Sequence, residues 1–144
     1  MISFDLEITI NRPVETAFAF VSDPSAYPQW QPAVLENRQT SAGPIGVGAT
    51  GVNVRQVLGQ RIESTWQVTS YTPNDGFGLK STSGPVAYEL TNSFQPVDGT
   101  TRLRVHFQGD PKGFFKVAEP LLAGTIKKEF EEDYQRLKTL LESQ

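Results

Sequence analysis

The sequence predicts an α+β fold in which a curved, seven-stranded antiparallel sheet closes around one long C-terminal helix. Three observations predict it. Ile2, Phe4, Leu6, Ile8 and Ile10 alternate with Ser3, Asp5, Glu7 and Thr9, the period of a strand with one buried face. Six further strand-like runs lie between residues 34 and 108, separated by short turns that leave no room for crossover helices. Ile126, Phe130, Tyr134, Leu137 and Leu141 form one stripe at helical spacing within residues 114–142.

Each element follows from local chemistry. After the first strand, Pro13 stands where a first helical position tolerates it, and Glu15 suits the positive first turn. Val14, Ala17, Phe18 and Val21 then mark a short amphipathic helix, stopped by Asp23-Pro24. Residues 25–31 read as another helical turn that delivers Trp30, kept short by Pro28 and Pro32. Residues 34–40 are a weakly patterned strand. A Gly/Pro stretch at 43–48 leads into a strand at 50–58, where Val52 and Val54 share a parity that Val57 breaks, predicting a bulge near Gln56. Gly59-Gln60 predicts a hairpin into residues 61–71, with Ile62, Ser64, Trp66 and Val68 on one face. Asn74-Asp75-Gly76, Ser83-Gly84-Pro85 and Asp98-Gly99 punctuate the last three strands. Leu121 and Leu122 fall off the stripe of the long helix across Pro120 and Gly124. This predicts two helical halves at an angle, the first buried on more faces, with an open mouth at the joint.

The 144 residues are one domain's length, and a chain of this size buries roughly two-thirds of its unfolded surface. An apolar share of 38% with 10% aromatics excludes both a disordered chain and a membrane span, so no membrane insertion is expected. Thirteen basic against sixteen acidic residues give a net charge of −3, and Lys127-Lys128 is the only basic doublet, so nucleic acid is not an expected partner. Zero cysteines exclude disulfides, thiolate zinc and Cys nucleophiles. The N-terminus has neither a basic n-region nor an apolar h-region, from which a cytoplasmic protein is expected. A monomer or homodimer is expected, without metal or cofactor.

Several turns and core positions, taken in order, resemble the SRPBCC superfamily of START and pollen-allergen-like proteins, specifically its polyketide cyclase/dehydrase branch. They are Pro13-Val14-Glu15, Ser22-Asp23-Pro24 with Trp30-Gln31-Pro32, and Gly46-Val47-Gly48; then residues 62–71, Gly99-Thr100-Thr101-Arg102, and Glu119-Pro120 ahead of Leu137-Lys138. The resemblance covers nearly all of residues 1–144 and implies the helix-grip fold, in the order β-α-α-β6-α. It also implies a deep cavity between helix and sheet for an apolar or aromatic small molecule. It brings no shared catalytic motif, so function has to come from the site.

If the apolar parity of each strand faces the helix, the inward set includes Val52 and Val54 and contains no Asp, Glu, His, Lys or Arg. Catalytic residues are therefore not assigned, because acid–base work needs a tuned titratable group inside the pocket. The expected ligand-binding residues are Trp66, Tyr88, Asn92, Ser64, Ser81, Phe77, Leu79 and Phe107 from the sheet. Phe115, Leu122, Ile126, Phe130 and Tyr134 are added from the helix. Inward polar groups need partners, since an unpaired one costs about 1–3 kcal/mol. Trp30 is expected to plug the sheet opening. His106, on the parity of Arg102 and Arg104, is expected on the solvated face, with those arginines pairing Glu63 and Glu89. Glu36 or Arg38 is a further candidate for reaching inward.

The expected function is binding or carriage of an apolar or aromatic small molecule, lipid or polyketide-like. The alternatives are a polyketide cyclase or dehydratase, and a protein-interaction module (co-chaperone or toxin-type) with a collapsed interior and an exposed apolar patch.

Overall fold

The computed structural model describes all 144 residues. Strand β1 (Ile2–Ile10) is followed by helix α1 (Val14–Val21), a 3₁₀ turn (Pro24–Ala26) and the four-residue helix α2 (Tyr27–Trp30). Six strands come next: β2 (Val34–Gln39), β3 (Thr50–Val57), β4 (Gln60–Thr72), β5 (Gly76–Ser83), β6 (Val86–Val97) and β7 (Thr100–Pro111). Helices α3 (Phe114–Val117) and α4 (Glu119–Glu142) end the chain. All seven strands form one antiparallel sheet in the order β1-β7-β6-β5-β4-β3-β2, gripping α4 on its concave face: the helix-grip fold. No helix is long and apolar enough to cross a membrane.

The long helix departs from its predicted shape. The break falls at Ala118, ahead of Pro120, and α4 then runs unbroken through Gly124. Pro120 sits in the first turn of α4, where its missing N–H leaves no hydrogen bond unmade, so it starts a helix here instead of kinking one. The predicted heavier burial of the first half is also reversed. Phe114, Val117 and Leu121 are 57%, 86% and 65% exposed, whereas Leu122, also off the stripe, is fully buried.

Parity on β3 is inverted as well. Asn53, Arg55 and Val57 point into the concave side, opposite Ser64, Ile62 and Gln60 of β4, while Val52 and Val54 occupy the other face beside Thr65 and Glu63. The expected bulge at Gln56 is absent, because β3 pairs with β4 without a slip. The register shift sits on the neighbouring edge strand, between Val34 and Glu36. Leu58 and Gly59, both at positive φ, make the tight turn into β4, one residue earlier than the sequence suggested.

Two clusters make the core. The larger, of 19 buried residues, joins α1, α2 and the C-terminal half of α4 to the sheet through Phe18, Trp30, Trp66, Phe77, Leu137 and Leu141. The smaller, of 7, gathers Ile2, Phe4, Val57, Ile62, Phe107, Phe115 and Leu122 at the other end of α4.

Candidate functional site

A cavity of about 100 Å³ lies where the two clusters meet, between α4 and the concave sheet. Twenty residues line it and twelve are hydrophobic, so its wall is mainly apolar. Trp66, Leu79, Tyr27 and Tyr134 come from the larger cluster, Val57, Ile62 and Phe107 from the smaller. A void of this size is well below the roughly 300–1,000 Å³ of pockets for drug-sized ligands. It is neither the deep cavity that the resemblance implied nor a fully collapsed interior.

Trp66 sets the geometry of one wall. Its indole reaches from β4 across β3 to β2, where Nε1 donates to Asn37 Oδ1 at 2.8 Å. Only a glycine at position 51 permits this path, because a Cβ there would collide with the indole and with the Arg38 carbonyl. Asn37 is fixed in turn by donating from Nδ2 to the Pro24 carbonyl at 3.1 Å, tying the 3₁₀ turn to the sheet edge. On the opposite wall, Tyr134 Oη donates to Asn92 Oδ1 at 2.6 Å, and Asn92 Nδ2 to the Phe77 carbonyl at 3.5 Å.

Of the predicted site residues, Trp66, Tyr88, Ser64, Leu79, Phe107, Ile126, Phe130 and Tyr134 line the cavity. Five others do not. Asn92 spends both ends of its amide on Tyr134 and Phe77, bracing the wall from behind. Ser81 Oγ accepts the Tyr88 backbone N–H at 2.9 Å and stitches β5 to β6. Phe77 is sealed in the larger cluster, and Phe115 and Leu122 in the smaller. Trp30, 1% exposed, packs edge-on against Tyr27 and Tyr134 at centroid distances of 5.4 and 5.0 Å, beneath the wall. His106 faces outward beside Asp5, with Nδ1 and Oδ1 2.7 Å apart. Arg102 and Arg104 both pair with Glu7 of β1, not with Glu63 or Glu89, since β7 lies next to β1. Glu36 and Arg38 pair with each other at 2.8 Å on the outer parity.

The expectation of a cavity without charged groups is overturned. Arg55, Glu129 and Asp133 all line it, with the amides Gln31, Asn37 and Asn53. A signal for the carboxylates was available: positions 129 and 133 lie three and seven residues after Ile126 and so flank the apolar stripe. Arg55 and Asn53 were hidden by the inverted parity of β3. Arg55 Nε donates to Asn53 Oδ1 at 2.8 Å and Nη2 to Gln31 Oε1 at 3.3 Å.

Burial is the main influence on the titrating groups. It raises the Asp133 carboxyl to about 7, reinforced by Glu129 and opposed by Arg136 and Arg55. Glu129 is raised by burial and held back by Arg55. Burial also raises the phenols of Tyr27, Tyr88 and Tyr134, which therefore serve as hydrogen-bonding hydroxyls and not as bases.

The family model described as "Polyketide cyclase / dehydrase and lipid transport" matches residues 1–142. The chain belongs to this family. Solved structures agree on the fold. A START superfamily protein from Mycobacterium smegmatis is 21% identical, with a TM-score of 0.76 over 99% of this chain and 96% of its own. Ara h 8.0201 is 14% identical, with a TM-score of 0.76 over 99% and 98%. The di-domain ARO/CYC StfQ from the steffimycin biosynthetic pathway is 12% identical, with a TM-score of 0.78, and this chain spans 51% of it. Among curated proteins no sequence matches. Membership of the polyketide cyclase/dehydrase and lipid transport family is consistent with an apolar guest and names none.

Proposed function

We propose that this member of the family binds, and by binding carries, a small apolar or aromatic molecule between α4 and the sheet. The observation that supports the reading is the cavity at the seam of the two core clusters, ringed by Trp66, Tyr88, Phe107 and Phe130. Burial of apolar area supplies most of the binding free energy, at roughly 25 cal/mol per Å². Tyr88, Ser64 and Tyr134 orient the guest by hydrogen bonding. The volume favours a body of one or two rings, and a long lipid or extended polyketide requires the side chains of the smaller cluster to move apart. Screening one- and two-ring aromatics by thermal unfolding tests this. Binders should raise Tm, and Ile126→Trp, which fills the cavity from α4, should abolish the shift. If no compound shifts Tm, or if Ile126→Trp leaves the shift intact, the cavity is not the binding site.

One observation favours a second reading, a cyclase or dehydratase. Such chemistry needs a proton carrier, and Asp133 lines the cavity with its carboxyl raised to about 7.

A further inference from the structure

The cavity wall carries one cation, Arg55, with no carboxylate in salt-bridge contact. Arg38, Arg102, Arg104 and Arg136 each sit within 4.0 Å of an acidic oxygen, and Arg55 does not. Its two protein acceptors, Asn53 Oδ1 and Gln31 Oε1, are neutral amide oxygens. Neutral acceptors fix the plane of a guanidinium without cancelling its charge. The bonds to Asn53 and Gln31 use Nε and Nη2, and no hydrogen bond from Nη1 to protein is made. Partly burying a cation without an ionic partner is costly, so a site that keeps one is suited to an anion that arrives from outside.

The two carboxyls facing Arg55 across the cavity compete weakly for it. Asp133 Oδ1 is already engaged by Arg136 Nη1 at 2.9 Å, one turn along the same helix. Glu129 stays more than 4.0 Å from the Arg55 nitrogens. Around this cation the wall is aromatic, and the void of about 100 Å³ suits a body of one or two rings.

We propose that Arg55 is the receptor for an anionic oxygen, and that the cavity's guest is a small aromatic carboxylate. The inference rests on the binding reading above and narrows it to a chemical class. The guanidinium offers planar, forked N–H donors that match a carboxylate and that a lysine ammonium does not supply.

The test is calorimetric titration with two probes of matched shape, 4-propylbenzoate and the neutral ketone 4-propylacetophenone. The benzoate should bind at least about tenfold more tightly than the ketone. Arg55→Met should erase that advantage while ketone affinity stays within about threefold, which shows that the cavity persists. Should Arg55→Met not fold, Arg55→Gln serves the same comparison. Glu129→Gln, which removes the competing carboxylate, should tighten benzoate binding more than ketone binding. If both probes bind alike, or if the arginine variants keep the benzoate preference, the inference is overturned and cavity binding stands. If neither probe binds the natural protein at millimolar concentration, both fall.

Discussion

The two ends of α4 meet the same sheet in different ways. Toward the C-terminus, Tyr134, Leu137 and Leu141 are enclosed by short helices on one side and strands on the other, in the cluster of 19 residues. Toward the N-terminus, Leu122 is covered by strands and by Phe115 of the one-turn helix α3, in the cluster of 7, while Phe114, Val117 and Leu121 face outward. The same helix is thus embedded in a large core at one end and held by a small one at the other. The cavity forms at the seam because neither cluster reaches far enough to fill it.

The sharpest way to break that contrast is to truncate one leucine at each end. Leu137→Ala should cost about 3–5 kcal/mol, since its neighbours are held on all sides and cannot collapse into the gap. Leu122→Ala should cost about 2–3 kcal/mol, because fewer packed neighbours surround it and they can relax. Urea denaturation gives both values, and equal losses would mean that the two ends are equally rigid.

The wall set by Trp66 sharpens the contrast further. Gly51→Ala should push the indole off its path, break the hydrogen bond to Asn37 and cost about 1–3 kcal/mol. A red shift and broadening of tryptophan emission should accompany the loss in thermal unfolding. An unchanged spectrum would mean that the indole is not confined by Gly51.

A further effect concerns charge at the seam. The Asp133 carboxyl ionises at about 7 in the fold against an ordinary 3.8, so the folded chain binds the extra proton between these values. Stability from this group is therefore fully present below about pH 4 and is lost as pH rises to about 7, with no further change above. Asp133→Asn should flatten that decline, and its gain relative to the natural protein should be greater at pH 8 than at pH 4. Glu129, raised in the same direction, leaves a residual slope. Thermal unfolding across this range would show no difference in slope if Asp133 were freely solvated.

How legible each part was depended on whether a pattern had one physical cause. On β1, β4 and β7 apolar residues alternate because one face meets the core, and the sheet was readable from them. On β3 the concave positions hold Asn53 and Arg55, since the cavity there needs donors, so the hydrophobic parity of Val52 and Val54 pointed to the wrong face. Glu129 and Asp133 fall outside an inward set built from apolar helix positions alone, although their spacing from Ile126 puts them on the flank of the stripe. Trp66 was readable as inward, but not its reach to Asn37, which depends on a glycine on the strand between them. The fold was written in periodicity and the site in its exceptions.

The sheet order carries a kinetic consequence. Strands β2 to β7 each pair with the next strand in the chain, so their hairpins close over short loops. β1 instead pairs with β7, matching Ile2 to Gly109 and Ile10 to Thr101 across more than ninety positions of chain. Closing so long a loop is entropically late, so β1 waits while the rest of the sheet assembles. Until then its row of Ile2, Phe4, Leu6, Ile8 and Ile10 is an unpaired, sticky ribbon. Polar substitutions at the inward positions of β1 should therefore slow refolding less than they speed unfolding, because β1 docks after the rate-limiting assembly of the other strands.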